Sequence, residues 1–86
     1  MPELRFDENA WDEYLEAQQD KALIRRINAL IKETLRTPFS GTGKPEPLKH
    51  GERDRWSRRI NETDRLVYRV SPNAIIILQC KGHYDD

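Results

Sequence analysis

The hydrophobic period of this chain changes once, and that change limits what it can fold into. Between Asp7 and Arg36, apolar residues recur at helical spacing; from Trp56 onward they alternate as in strands. The break falls at Thr37-Pro38-Phe39 and is followed by Gly41, Gly43, Pro45 and Pro47, a stretch that reads as loop. Helices therefore come first and strands second, with Leu4-Arg5-Phe6 as one short alternating strand ahead of both. The predicted order is β-α-α-β-β-β-β. This is an α+β class in which a two-helix hairpin packs on one face of a largely antiparallel sheet of four to five strands.

Each element carries its own signals. Asp7 is a suitable N-cap, Glu8 favours the first turn, and Trp11, Tyr14, Leu15 and Gln18 follow at helical spacing. The spacing predicts a helix over 8–18 that buries its Trp11/Leu15 side. After Asp20, a second cap, the stripe Leu23, Ile24, Ile27, Leu30, Ile31 and Leu35 predicts a second helix. Pro38 forces Thr37 out of helical geometry and ends that helix near Arg36. Leu48-Lys49-His50 then begins a strand. Trp56, Arg58 and Ile60 alternate with Ser57, Arg59 and Asn61, and Leu66, Tyr68 and Val70 alternate with Arg65, Val67 and Arg69. Ala74 to Cys80 is almost continuously apolar and reads as a central strand, with Cys80 a small buried hydrophobe.

Length and composition exclude several classes. Eighty-six residues suit a single domain over 1–86. One cysteine permits neither an internal disulfide nor a cysteine-based zinc site. No apolar run approaches the roughly 20 residues that cross a bilayer, and the first residues lack a secretory layout, so a cytoplasmic protein without membrane contact is expected. The formal charge of zero divides into an acidic segment, residues 1–20, and a basic remainder. The basic second helix is expected to pair partly with the acidic first one.

Strand parity constrains the chemistry. With Ile60, Leu66, Tyr68 and Val70 facing the helices, Arg59, Arg65 and Arg69 face away together. Such a face either receives an anion, because the guanidinium fork matches phosphate, or is an open sheet kept soluble by charge. Glu46 lies between Pro45 and Pro47, which restrict its backbone; it is a general base or a solvated loop acid. His83, followed by Tyr84, titrates in the range of a proton donor. His50 and Trp56 read as structural, Trp56 as part of the core. The two histidines stand far apart, without an acidic ligand pattern, so neither metal nor cofactor is expected. There is no phosphate loop and no nucleophile motif. An acid, a base and arginines converging without metal or nucleophile suit RNA cleavage, because RNA supplies its own nucleophile, the 2′-OH.

The blocks Gly43-Lys44-Pro45-Glu46-Pro47-Leu48-Lys49-His50, Trp56-Ser57-Arg58-Arg59-Ile60, Arg65-Leu66-Val67-Tyr68 and His83-Tyr84 stand in an order and spacing that resembles the YoeB toxins. These form the Txe/YoeB group of the RelE-like superfamily of bacterial toxin–antitoxin systems. The resemblance extends to Ala10-Trp11-Asp12-Glu13-Tyr14-Leu15 and Arg26-Ile27-Asn28-Ala29-Leu30-Ile31-Lys32, and so covers essentially the whole chain. It implies a RelE-like, microbial-RNase-like fold and a ribosome-dependent, metal-independent mRNA endonuclease acting in the A site. It also implies a YefM-like antitoxin partner and a homodimer. By position, Glu46 would be the base, His83 the acid, Arg65 and Arg59 the phosphate stabilisers and Tyr84 a positioning group; Lys44, Lys49 and Arg69 are further candidates for binding substrate. The chain departs from the resemblance at Asp64, where such toxins often have histidine, and at Gly82, where they commonly have an aromatic residue. An acidic tail, Asp85-Asp86, follows Tyr84. The alternative to cleavage is a module of the same fold that binds a ribosome or an antitoxin without cutting.

Overall fold

The structure, a computed structural model, describes residues 2–49 and 54–82. Strand β1 (Glu3–Phe6) leads into α1 (Glu8–Ala17) and α2 (Lys21–Arg36), followed by β2 (Glu46–Pro47), β3 (Arg55–Arg59), β4 (Arg65–Val70) and β5 (Ala74–Gln79). The five strands form one sheet in the order β1-β5-β4-β3-β2. Only β1 and β5 run parallel; the other three pairings are antiparallel. The α+β architecture follows the hydrophobic periods. Strand β5 is interior, flanked by β1 and β4, while β4 occupies the middle position.

Both helices start where their acids predict. The Asp7 carboxylate accepts from the Ala10 amide at 2.8 Å, and Asp20 accepts from that of Leu23 at 3.1 Å. Helix α2 buries Ile27, Leu30 and Ile31 against Ile60, Leu66, Tyr68, Ile75 and Ile77 of the sheet. Each such aliphatic side chain contributes about 1.5–3 kcal/mol. Helix α1 sits differently from expectation: Ala10 and Ala17 are its buried residues, while Trp11 and Leu15 are 46% and 45% exposed. The small residues let the helix backbone approach β5 closely, and Cys80 Sγ reaches the Ala10 carbonyl at 3.6 Å. Trp11 instead stacks on Tyr14 and meets Phe6 edge-on.

Three further expectations need correction. The strand expected at Leu48-Lys49-His50 is the two-residue β2, starting two residues earlier, because Glu46 and Pro47 pair with Ser57 and Trp56. His50 lies outside the described residues. Among the described residues no ion pair joins α1 to α2; Glu16 turns to Lys81 at 2.5 Å, Glu13 accepts from the Cys80 amide at 2.8 Å, and the helices are linked by Tyr14 and Asn28 at 2.6 Å. The acids of α1 thus meet the residues that follow β5 rather than α2. Trp56, expected in the core, is half-buried at the core's margin and packs its ring on Phe39, 4.9 Å away. No helix among the described residues is long and apolar enough to cross a membrane.

Candidate active site

Cross-strand partners share a face, as do residues two apart on one strand. The register pairs Glu46 with Ser57 and Arg59 with Arg65. All four therefore lie on the side of the sheet away from the helices. Together with Gly43 and Lys44 they line a depression of about 120 Å³. Three cations and one carboxylate thus share a small concave site.

The loop that brings Glu46 there is pinned by a close backbone approach. The Gly43 carbonyl accepts from the Arg59 amide at 2.7 Å. A Cβ on Gly43 would lie 2.8 Å from the Arg59 carbonyl oxygen, and its φ of 86° is one that side chains resist. Lys44 follows at φ 52°, also left-handed, which reverses the chain before the Pro45-Glu46-Pro47 segment. The Leu48 amide then donates to the Arg55 carbonyl at 3.0 Å, continuing the ladder beyond β2.

The two arginines are held in different ways. Arg65 is half-buried, and its Nη1 donates to the carbonyls of Asn61 (2.8 Å) and Asp64 (3.0 Å). Those carbonyls belong to a tight corner in which Asn61 Oδ1 accepts from the amides of Thr63 (2.8 Å) and Asp64 (2.7 Å). Arg59 is exposed, and among the described residues no protein group accepts from its guanidinium. Like charges directly opposite on neighbouring strands repel, and an anion between them relieves that repulsion.

Arg69 and Lys49 are not brought to this depression. Arg69 stands opposite Arg55, at the other end of β4 from Arg65, and its Nε donates to Asp54 at 2.9 Å. That hydrogen bond, with the arginine charge behind it, holds the Asp54 carboxyl below its ordinary value. Lys49 is exposed and outside the lining. His83 and Tyr84, like Asp85 and Asp86, lie outside the described residues.

On the opposite side of β3, Arg58 is completely buried. Its guanidinium donates to the carbonyls of Thr37, Ser40 (2.9 Å) and Thr42 (3.2 Å) and to the Tyr68 hydroxyl (3.2 Å). It also meets Glu33 at 3.6 Å and stands over the Tyr68 ring. Glu33 in turn accepts from the Thr42 amide and hydroxyl, which with the Arg58 and Arg36 charges lower its pKa. One buried cation therefore gathers the loop from Thr37 to Thr42, and the next residue is Gly43 at the site. Parity alone had put Arg58 on the apolar side of β3. An arginine at that position was the available signal that a strand interior needed a multidentate donor. Ser57 and Gly43 also line the site; both stand in the blocks that carry the resemblance, which implies no role for either.

The depression can bind a tetrahedral anion through Lys44, Arg59 and Arg65, and it offers the Glu46 carboxylate to accept a proton. Comparison with known proteins agrees with this architecture. Residues 6–84 match the family described as the YoeB-like toxin of bacterial type II toxin–antitoxin systems. The chain is 52% identical to toxin YoeB of Escherichia coli K12 over 82 residues, 94% of this chain and 98% of that one. Its fold matches the YoeB dimer from Staphylococcus aureus with a TM-score of 0.89 at 42% identity, covering 96% of this chain and 98% of the other. It also matches the heterotetrameric YoeB–YefM toxin–antitoxin complex from the same organism with a TM-score of 0.86 at 42% identity, covering 98% and 99%. The chain belongs to the YoeB-like toxin family of bacterial type II toxin–antitoxin systems.

Proposed function

We propose that this protein is a ribosome-dependent endoribonuclease that cuts mRNA in the decoding A site and thereby stops translation. The observation that carries this reading is the shared depression of Glu46, Lys44, Arg59 and Arg65. Glu46 removes the proton from a ribose 2′-OH, and that oxygen attacks the adjacent phosphorus. Arg65 and Arg59 stabilise the added negative charge on the phosphoryl oxygens, and Lys44 holds the phosphate. His83 donates a proton to the departing 5′-oxygen, leaving a 2′,3′-cyclic phosphate and a 5′-hydroxyl, while Tyr84 positions the RNA. No step requires a metal or a cofactor. Arg69 lies outside the depression and pairs with Asp54, so it takes no part in this step. Lys49 supplies exposed positive charge beyond β2.

The partners follow the family. A YefM-like antitoxin neutralises the toxin, and two copies of the chain associate. So small a basic site suits a substrate presented by the ribosome better than naked RNA, for which tight binding needs many phosphate contacts. Mapping 5′ ends of messages after induction tests the reading. Cuts inside codons are expected, with ribosomes required in the purified reaction and EDTA without effect at levels that spare them. Glu46→Gln should slow cleavage about 100-fold or more while leaving folding intact. Arrested translation with intact messages would favour the non-cutting binding module.

A further inference from the structure

Two positions at which the sequence departs from the resemblance, Asp64 and Gly82, touch each other. The Gly82 amide donates to Asp64 Oδ1 at 2.7 Å. Its carbonyl accepts from the Arg65 amide at 2.9 Å and from Gln79 Nε2 at 3.1 Å. The carboxylate is itself held, since Asp64 Oδ2 accepts from Asn61 Nδ2 at 2.9 Å and from the Thr63 hydroxyl at 3.4 Å. Burial pushes this carboxyl up, but the Gly82 amide, Asn61, Thr63 and the Lys81 charge together hold it below its ordinary value, so it is ionised at neutral pH. Gly82 has a φ of 85°, and a Cβ there would meet nothing within 4 Å, so the demand at this position is one of backbone conformation rather than space. A register shift between Val67 and Tyr68 lies in the strand that leaves this corner, of the kind that bends a strand and re-aims its neighbours.

Asp64 therefore works in two directions. Its carbonyl accepts from Arg65 Nη1, and its carboxylate grips the residue that immediately precedes His83. We propose that Asp64 is a positioning residue, whose carboxylate clamps Gly82, the residue that precedes His83 in the sequence, and holds it beside Arg65. The catalytic part of this inference rests on His83 as the acid of the proposed reaction; the clamp itself does not. A geometric requirement of this kind is severe, because displacing an acid by about 1 Å costs on the order of 100-fold.

The experiment compares Asp64→Ala, Asp64→Asn, His83→Gln and Glu46→Gln on two ribosome-bound messages, one ordinary and one with sulfur in place of the departing 5′-oxygen. A thiolate leaves without protonation, so defects that act through the acid disappear on the sulfur message. Asp64→Ala should lose about 10- to 100-fold on oxygen and stay within about 3-fold of wild type on sulfur. Asp64→Asn should retain most activity on both, because its amide oxygen still accepts from Gly82. Glu46→Gln should be impaired on both. Amide exchange at Gly82, followed by NMR in the same proteins, should accelerate in Asp64→Ala alone, with core amides and melting temperature little changed. Equal loss on both messages by Asp64→Ala, with His83→Gln rescued, would overturn the positioning role, as would unchanged Gly82 exchange. An unrescued His83→Gln would remove the acid assignment instead, and Gly82 exchange would still decide the clamp.

Discussion

Arg58 and Arg59 are neighbours on β3 and face opposite ways. Arg58 lies against the helices with its donors bound to the Thr37, Ser40 and Thr42 carbonyls, the Tyr68 hydroxyl and the Glu33 carboxylate. Arg59 stands on the open face, opposite Arg65 and beside the Glu46 segment. The side chain is the same, and the difference is in what satisfies it. A guanidinium whose donors all end on protein atoms organises the fold; one whose donors face a concave, like-charged surface is available to a phosphate. Strand parity thus separates a structural cation from one proposed to act on a phosphate, at adjacent positions.

The largest expected effect is on the closed side. Arg58→Met keeps the length of the stem but leaves the Thr42 and Ser40 carbonyls without this donor and takes the cation away from Glu33. Breaking a buried charged network in this way costs about 3–5 kcal/mol, equivalent to roughly 12 °C or more in melting temperature for a chain of this size. Loss of activity should follow loss of the Thr37–Thr42 loop, and Arg58→Lys should recover little, because one ammonium cannot span those acceptors. A melting temperature within a few degrees of wild type, by calorimetry, would break the comparison.

On the open side the effect should fall on chemistry. Arg65→Ala removes a donor from the developing phosphorane and should lower the cleavage rate about 100- to 1000-fold. Arg59→Ala, at the more exposed partner, should lower it by about tenfold and leave melting unchanged or slightly raised, since one of two opposed cations is gone. The ratio of rate loss to stability loss is the quantity to read. An Arg59→Ala variant destabilised as much as Arg58→Met would place both arginines in the fold.

Much of this division was legible before the structure. Parity along β3 and β4 needs only the alternation of Ile60, Leu66, Tyr68 and Val70, and it puts Arg59 and Arg65 on one side. Caps at Asp7 and Asp20 and the α2 stripe were equally direct. The face of α1 was not, because burial there follows how closely a backbone can approach β5, and Ala10 and Ala17 win over the larger Trp11 and Leu15. The location of β2 was hidden because a strand of two residues, one of them a proline, has no period. The Arg58 cage was hidden because its acceptors are backbone carbonyls of a loop, which carry no residue-type signal. The meeting of Asp64 with Gly82 joins positions 18 residues apart, and it depends on a register shift that alternation cannot foresee.

The smallest effect on cleavage is expected at Cys80, whose chemistry instead tests how closed the helix-facing side is. This thiol is buried, with Sγ against the Ala10 carbonyl. Burial, with the Glu13 and Asp64 charges adding to it, pushes its pKa from 9.0 up to about 12. At pH 8 the folded protein should therefore react with iodoacetamide about 1000-fold more slowly than the urea-unfolded chain, before any steric exclusion is counted. The sign of the stability effect follows from the same shift. Above about pH 9 the unfolded chain releases the thiol proton while the folded one keeps it, so the unfolded state binds fewer protons and stability falls as pH rises toward 12. Cys80→Ala lacks that contribution, so the stability difference between wild type and Cys80→Ala should shrink above pH 9 and be constant below it. Labelling of the native protein at the unfolded rate would mean that α1 lifts from β5 readily, and that the closed side of the sheet is not closed.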